Sequence, residues 1–352
     1  MDYWTVADEL PLQPFAASTA LGRSEMERLA AGETFLLAEK VNIDRAITFC
    51  LRENWVQEAA RLVDRAFRYL DIAYSHDRVV QVRELVREAA FAEGDELVAW
   101  RSQLDLVTQR ITRGVTEEIL AEYTRCAEAF EAMGAHAELA TVLGALTFFT
   151  MVHTGQPQVE LAERAVVAAR ASGVQGLYAN NLRELGTVLS SAGDYAESVR
   201  VLEEALAIGL DGKRPGDVAL VLSRMTAGAL VHGDLERASA WCRQALDVIT
   251  EFGDIRGVGY CTVQLSQVDL ALGDAGSALA SAEKALSIFE GLGERRGTAR
   301  ALPAVAEANL ALGLTGKVIE VATAALEDQA VMGDADAEER LRAALEQARR
   351  QA

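Results

Sequence analysis

The chain has 352 residues, with 53 acidic against 34 basic side chains, a net charge of −19, and half of its residues apolar but only 6% aromatic. A surface this acidic repels nucleic-acid phosphates and anionic headgroups, and no Lys/Arg run offsets it, which excludes nucleic acid and membrane as direct partners. Abundant alanine, leucine and glutamate with five prolines make a helix-former composition.

In chain order, residues 1–31 read as an irregular extension, broken by Pro11, Pro14 and Gly22. The opening MDYWTVADEL has no basic n-region and no apolar h-region, so no secretory signal is indicated. Cys50, Cys126, Cys242 and Cys261 are widely spaced without a C-x-x-C pair, which reads as small buried apolar residues in a reducing compartment. The longest apolar stretch, 139–152, is too short to span a bilayer. A cytoplasmic location is expected. Residues 32–54 form an entry helix, and a repetitive array follows over 55–334.

The array repeats every forty residues. Gly193, Gly233, Gly273 and Gly313 keep that spacing, and each is followed twelve residues later by alanine, at Ala205, Ala245, Ala285 and Ala325. A second glycine series closes the units at Gly173, Gly253, Gly293 and Gly333, with Gly212 one place off register. In 273-GDAGSALASAEKALSIFEGLGE-294 the apolar residues Ala278, Leu279, Ala282, Ala285, Leu286 and Phe289 recur at spacings of three and four, one face of a helix. Gly-Asp supplies a turn and an N-cap, and Gly293 a left-handed stop. The segment 297–313 has the same periodicity and forms the partner helix. Small residues stand where the two helices cross, at Gly186, Thr226, Ser266 and Ala306, because a leucine there would force the axes apart. Seven hairpins result, beginning near 55, 95, 135, 174, 214, 254 and 294. The first two have degenerate turns at Ser75-His76-Asp77 and Arg113-Gly114, and 335–352 is a capping helix with a polar back.

A helical hairpin with a small crossing residue, a Gly-Asp turn and a downstream alanine resembles the tetratricopeptide repeat. The W-x-x-L-G-x-x-Y pattern is only partly kept, as Leu182, Leu185, Gly186 and Leu189 without its aromatics. The expected fold is all-α, a right-handed α-solenoid of about seven such hairpins. The entry also resembles the repeat domain of bacterial STAND-type ATPases, including regulators of the antibiotic-regulatory-protein class. The matching residues are Glu39, Asn42, Ile43 and Ala46, then Trp55, Ala59 and Leu62, with 253-GDIRGVG-259 and 293-GERRGTA-299 as linkers. The ATPase half is missing from the chain. The nearest approach to a phosphate loop, 313-GLTGKVIE-320, has the wrong spacing and no preceding strand.

Chemistry-bearing motifs are equally lacking. His76, His153 and His232 fall at turns two units apart, beyond a shared metal, and His136 has no companion. No G-x-S-x-G occurs, and no cysteine has an evident histidine partner. No catalytic residue, metal or cofactor is assigned. The resemblance implies instead that the first helix of each hairpin lines a concave groove. Its inward positions are Arg101 and Thr108, then Leu143, Thr147 and Met151, then Asn180, Arg183 and Thr187. Ser223, Tyr260, Gln267, Arg300 and Glu307 continue the row. Arg183 and Arg300 are the candidates to clamp a carboxylate or phosphate, or else to pair with a neighbouring glutamate. The helix 139–152, with Phe148, Phe149 and Met151, is apolar nearly all round and expected to be buried, or else to turn a part to the groove as an apolar floor for a ligand. Pro303 falls early in its helix, where a missing N–H costs little.

The function this implies is a sensor or adaptor that binds a protein, a peptide or a small effector in its groove, in bacterial signalling or transcriptional regulation. A peptide-pheromone receptor and an enzyme on a repeat scaffold stay open, as does oligomerisation.

Overall fold

The structure, a computed structural model, describes residues 41–70, 76–111, 114–327 and 334–352. The stretch 1–31, the start of the entry helix with Glu39, and Ser75, Arg113 and Gly333 lie outside them, as does the side chain of His76. Every regular element among the described residues is a helix, in two compact units divided after Asp194. The first unit contains α1 (41–52), α2 (Val56–Leu70), α3 (His76–Glu93), α4 (Glu96–Arg110), α5 (Glu117–Ala132), α6 (His136–Thr154), α7 (Val159–Ala171) and α8 (Gln175–Ser191). The second contains α9 (Tyr195–Asp211), α10 (Pro215–Val231), α11 (Leu235–Phe252), α12 (Ile255–Ala271), α13 (Ala275–Leu292), α14 (Arg295–Ala311), α15 (Thr315–Leu326) and α16 (Ala335–Gln351). Even-numbered helices from α2 to α14 are the first, or A, helices of the repeats; odd-numbered ones from α3 to α15 are the second, or B, helices.

The turns work as their residues dictate. Gly193, Gly233, Gly273 and Gly313 all have positive φ, the conformation that ends one helix and reverses the chain. At two of these turns the aspartate that follows caps the next helix: Asp234 Oδ1 accepts from the Arg237 N–H at 3.3 Å and Asp274 Oδ1 from the Ser277 N–H at 3.0 Å, while Leu314 after Gly313 gives no side-chain cap. Where the second glycine series slips, Lys213 takes the left-handed position in place of Gly212, with φ 50°. Between the turns, Ala205, Ala245 and Ala285 are completely buried and Ala325 is nearly so. The crossing residues Thr226, Ser266 and Ala306 are buried too, and Ser266 Oγ donates to the Ala278 carbonyl of the partner helix at 2.7 Å. Only small side chains permit that approach.

The glycines of 253-GDIRGVG-259 and 293-GERRGTA-299 have a packing role. Phe289 of α13 is fully buried with its ring against Tyr260 of α12, 4.8 Å between centroids. A Cβ on Gly259 would come within 2.7 Å of that ring, and one on Gly297 within 2.1 Å. The ring therefore occupies the volume of the two absent side chains.

The third repeat departs from the register. α6 runs to Thr154 and stops at Gly155, and α7 begins at Val159, whereas forty residues before Tyr195 is Gly155. α7 is thus short by about a turn at its start, with 13 residues against 17 in α9 and 18 in α11. The last turn of α6 is left uncovered. Leu139, Ala140, Val142, Leu143 and Leu146 are buried, but Phe148 is 50% and Val152 58% exposed, while Val188, Val268 and Ala308 at Phe148's register are buried. The expectation of burial on every side holds only for the first part of this helix. By length and composition α6 could cross a membrane, unlike the shorter 139–152 stretch, but its leucines sit in the core with Tyr123 and Phe130. Pro303 also differs from expectation: it is buried in the interior of α14, where its ring leaves the Ala299 carbonyl without an i+4 donor.

α16 has the register of an eighth A helix. Leu341, Ala344, Leu345 and Ala348 pack on α14 and α15, and its outer face carries the pairs Arg342–Glu338 and Arg350–Glu346. Substituting Gly297→Ala should lower stability by about 1–3 kcal/mol through overpacking on Phe289. Pairing it with Phe289→Leu should cost less than the two single losses added, read from denaturant midpoints.

Candidate functional site

Four of the expected inner-wall positions, Arg101, Ser223, Arg300 and Glu307, face a polar partner about one repeat away. In the first unit Arg101 of α4 donates through Nε to Glu138 of α6 at 2.9 Å, with the Glu138 carboxylate nearly buried. Thr108 gives its hydroxyl to the Leu104 carbonyl and lies 2.8 Å from the hydroxyl of Tyr123 beneath it. Burial pushes the Tyr123 phenol up to about 12, with the Thr108 bond working against that shift, so it stays a neutral partner. Leu143 and Thr147 are core residues, a correction to their expected place in the groove: each is 2% exposed, and the Thr147 hydroxyl folds back on the Leu143 carbonyl at 2.8 Å. Met151 and Thr187 are half-buried.

Arg183 of α8 takes the second of its two expected roles, a pair with a neighbouring glutamate. It is 7% exposed, and its Nη2 donates to Asn180 Oδ1 at 2.5 Å and Glu184 Oε1 at 2.7 Å. The intramolecular pair holds, but it does not exhaust the site. With Asn180 Oδ1 held by the guanidinium, the Asn180 amide nitrogen points elsewhere, buried and without a protein acceptor. Fixed donors are thus gathered on one stretch of α8.

In the second unit Ser223 of α10 and Gln264 of α12 exchange bonds: Ser223 Oγ donates to Gln264 Oε1 at 2.9 Å, and Gln264 Nε2 to the Ser223 carbonyl at 2.8 Å. Tyr260 lies under the guanidinium of Arg256, 6.0 Å from its centre, and Arg256 pairs with Glu294 at 2.7 Å. Gln267 is half-buried. Arg300 remains the most open of the candidates, 63% exposed, with Asp334 3.7 Å away. Glu307 is no groove anchor: Arg340 of α16 grips both its oxygens at 2.8 and 2.7 Å, and that carboxylate holds the Arg340 charge more firmly in place. The sequence did not show the partners Glu138, Gln264, Glu294 and Arg340. Pairing polar residues one period apart would have found most of them, because Ser223–Gln264, Arg256–Glu294 and Tyr195–Asp234 are all separated by about one repeat.

No protein-family model and no curated protein sequence matches the chain. Solved structures do. One is a Signal Transduction ATPase with Numerous Domains (STAND) from Pyrococcus horikoshii with a tetratricopeptide repeat sensor, at TM-score 0.52 and 14% identity over 81% of this chain and 42% of that one. A Rap protein complexed with Competence and Sporulation Factor matches at TM-score 0.54 and 12% identity, over 87% and 80%. Yeast Tom70 matches at 0.54 and 11%, over 92% and 60%. The fold is that of a tetratricopeptide-repeat solenoid. The chain spans less than half the length of the STAND protein it matches.

On this tetratricopeptide scaffold the reactive side chains are muted. The four cysteines are free and buried. Desolvation pushes the thiols of Cys126, Cys242 and Cys261 up to about 12, so they are protonated at neutral pH. Among the described residues no group of His, Cys, Asp or Glu could hold a metal ion. Asp254, the cap of α12, is 9% exposed; Oδ1 accepts from the Gly257 N–H at 2.9 Å, while Oδ2 is buried without a protein partner. Desolvation raises its pKa, with the Gly257 and Arg256 backbone bonds opposing.

Two outcomes follow. A disulfide-exchange reagent at pH 8 should leave Cys126, Cys242 and Cys261 unmodified in the native protein and titrate them at once in denaturant. For Asp254 the folded-state value lies above the unfolded one. Its contribution to stability is therefore full below the ordinary aspartate range and is lost as pH rises through the folded value. Asp254→Asn keeps a capping oxygen and should flatten that decline in denaturation midpoints taken from about pH 4 upward.

Proposed function

We propose that this chain is a non-catalytic tetratricopeptide sensor or adaptor that holds an extended peptide segment, free or within a partner protein, against the inner wall of its first unit. The observation that carries the reading is the Asn180–Arg183 pair. A buried donor left without an acceptor costs about 1–3 kcal/mol, and the Asn180 amide is such a donor, set beside a sunken guanidinium in a chain of net charge −19. A peptide supplies the complementary chemistry, backbone carbonyls for the amide and a carboxylate for the guanidinium. A small effector bearing a carboxylate would answer the same pair. That a Rap conjugation gene regulator of this fold was solved in complex with the Phr* peptide supports placing a peptide first. The STAND likeness supports a role in signalling or regulation, and the free buried cysteines support a reducing, cytoplasmic setting.

The test is affinity selection from a random hexapeptide library on the full chain, followed by calorimetry. Selected peptides should bind saturably. Asn180→Ala should weaken them by about two- to tenfold, measured well below its melting temperature because the change also removes the acceptor of the Arg183 bond. Arg183→Gln should weaken acidic peptides more than neutral ones. Failure to select any saturable binder, or affinities unchanged in both variants, refutes the reading.

A further inference from the structure

Polar contacts bridge successive A helices along the inner wall, and the glutamate beside the Asn180–Arg183 pair departs from that rule. Gln264 of α12 reaches back to α10 and exchanges two hydrogen bonds with Ser223. Glu184 stands at the same position of α8, eighty residues before Gln264, and the residue eighty before Ser223 is Leu143 of α6. The Leu143 side chain is buried and apolar, and its carbonyl already accepts from the Thr147 hydroxyl. A carboxylate accepts hydrogen bonds and donates none, so Leu143 offers Glu184 no partner.

Glu184 turns instead to its neighbour in sequence, where its Oε1 accepts from Arg183 Nη2 at 2.7 Å. Successive residues on an α-helix point about 100° apart and do not face each other. The contact therefore bends two long side chains toward one another and costs both of them rotamer freedom. Its two ends are unequal. Arg183 is buried and is held also by Asn180 Oδ1 at 2.5 Å, whereas the Glu184 side chain is 29% exposed. The guanidinium keeps its place if the carboxylate leaves. What holds the carboxylate there is the cost of a sunken cation without a counter-charge, and another carboxylate meets that demand equally well.

From this we infer that Glu184 is a built-in stand-in for the ligand: its carboxylate covers Arg183 in the empty site and swings out to solvent when an aspartate or glutamate of the bound segment takes its place. The inference rests on the reading of Asn180–Arg183 as a binding site, and it adds the selectivity of that site. An incoming acid has to displace one that is tethered beside the guanidinium, so a carboxylate with nothing else to hold it is rejected. One fixed by further contacts, such as its own backbone carbonyl on the Asn180 amide, is accepted.

N-acetyl-aspartate amide and its asparagine analogue, titrated separately into the full chain, test this. The Arg183 Nε–H resonance, assigned from its loss in Arg183→Lys, reports occupancy. In Glu184→Gln, with circular dichroism unchanged, the aspartate compound should reach half-occupancy at about three- to tenfold lower concentration than in the unsubstituted chain. Its preference over the asparagine compound should rise by the same factor. Glu163→Gln, which removes an equal charge from the exposed face of α7, should leave the midpoint where it is. Equal midpoints in Glu184→Gln and the unsubstituted chain, an equal gain from Glu163→Gln, or no aspartate-dependent shift in any of the proteins overturns the inference. A selected hexapeptide that weakens in Asn180→Ala, while Glu184→Gln leaves its aspartate preference unchanged, strikes this inference alone. No saturable peptide, with the aspartate compound still stronger in Glu184→Gln, strikes the peptide reading alone.

Discussion

Close approach of paired helices at small side chains is the constraint on which everything else in this protein rests. Alanine at 205, 245 and 285 is buried to its last atom, and glycine, threonine, serine and alanine alternate at the crossing points forty residues apart. A buried alanine contributes little transfer energy by itself. Its value is geometric: it lets two backbones come near enough for the flanking leucines, valines and the Phe289 ring to interdigitate. The glycines at 259 and 297 are the extreme case, where even a methyl group has no room.

Stacking the repeats brings equivalent faces of successive A helices side by side, and polar residues on those faces meet one period apart. Arg101 with Glu138, Ser223 with Gln264, Arg256 with Glu294 and Glu307 with Arg340 are four rungs built on the same geometry. Half-exposed ion pairs of this kind contribute on the order of 1 kcal/mol or less each. Their larger effect is to neutralise the wall. In a strongly acidic protein an anionic ligand would be repelled by a wall that carried the average charge. Locally balanced rungs reduce that repulsion, and the Asn180 amide is a buried donor that no rung engages.

The same scaffold explains why the buried cysteines stay protonated at neutral pH. Cysteines at repeat positions facing the core lose solvent, and their thiols move far from the range where a thiolate would form. The repeats also depart from the pattern: Phe148 is exposed where its register elsewhere is buried, and the first inter-repeat turns present Trp55 and Phe91 where later repeats have smaller residues.

The sequence alone determined the all-α fold, the forty-residue period, the turn residues and the alanines of the core, because each is enforced locally or repeats often enough to be read. Helix periodicity and a left-handed glycine need no distant partner to be recognised. It could not tell that Thr147 turns into the core, that Glu307 belongs to Arg340, or that Arg183 is sunk against Asn180 and Glu184, because those outcomes depend on rotamers and on residues a repeat away. Nor could periodicity show that α7 starts late or that Pro303 sits inside α14, since a shift of four residues leaves the hydrophobic stripe almost in place. Which polar groups are consumed by the fold, and which are left for a ligand, is decided only when the helices are packed.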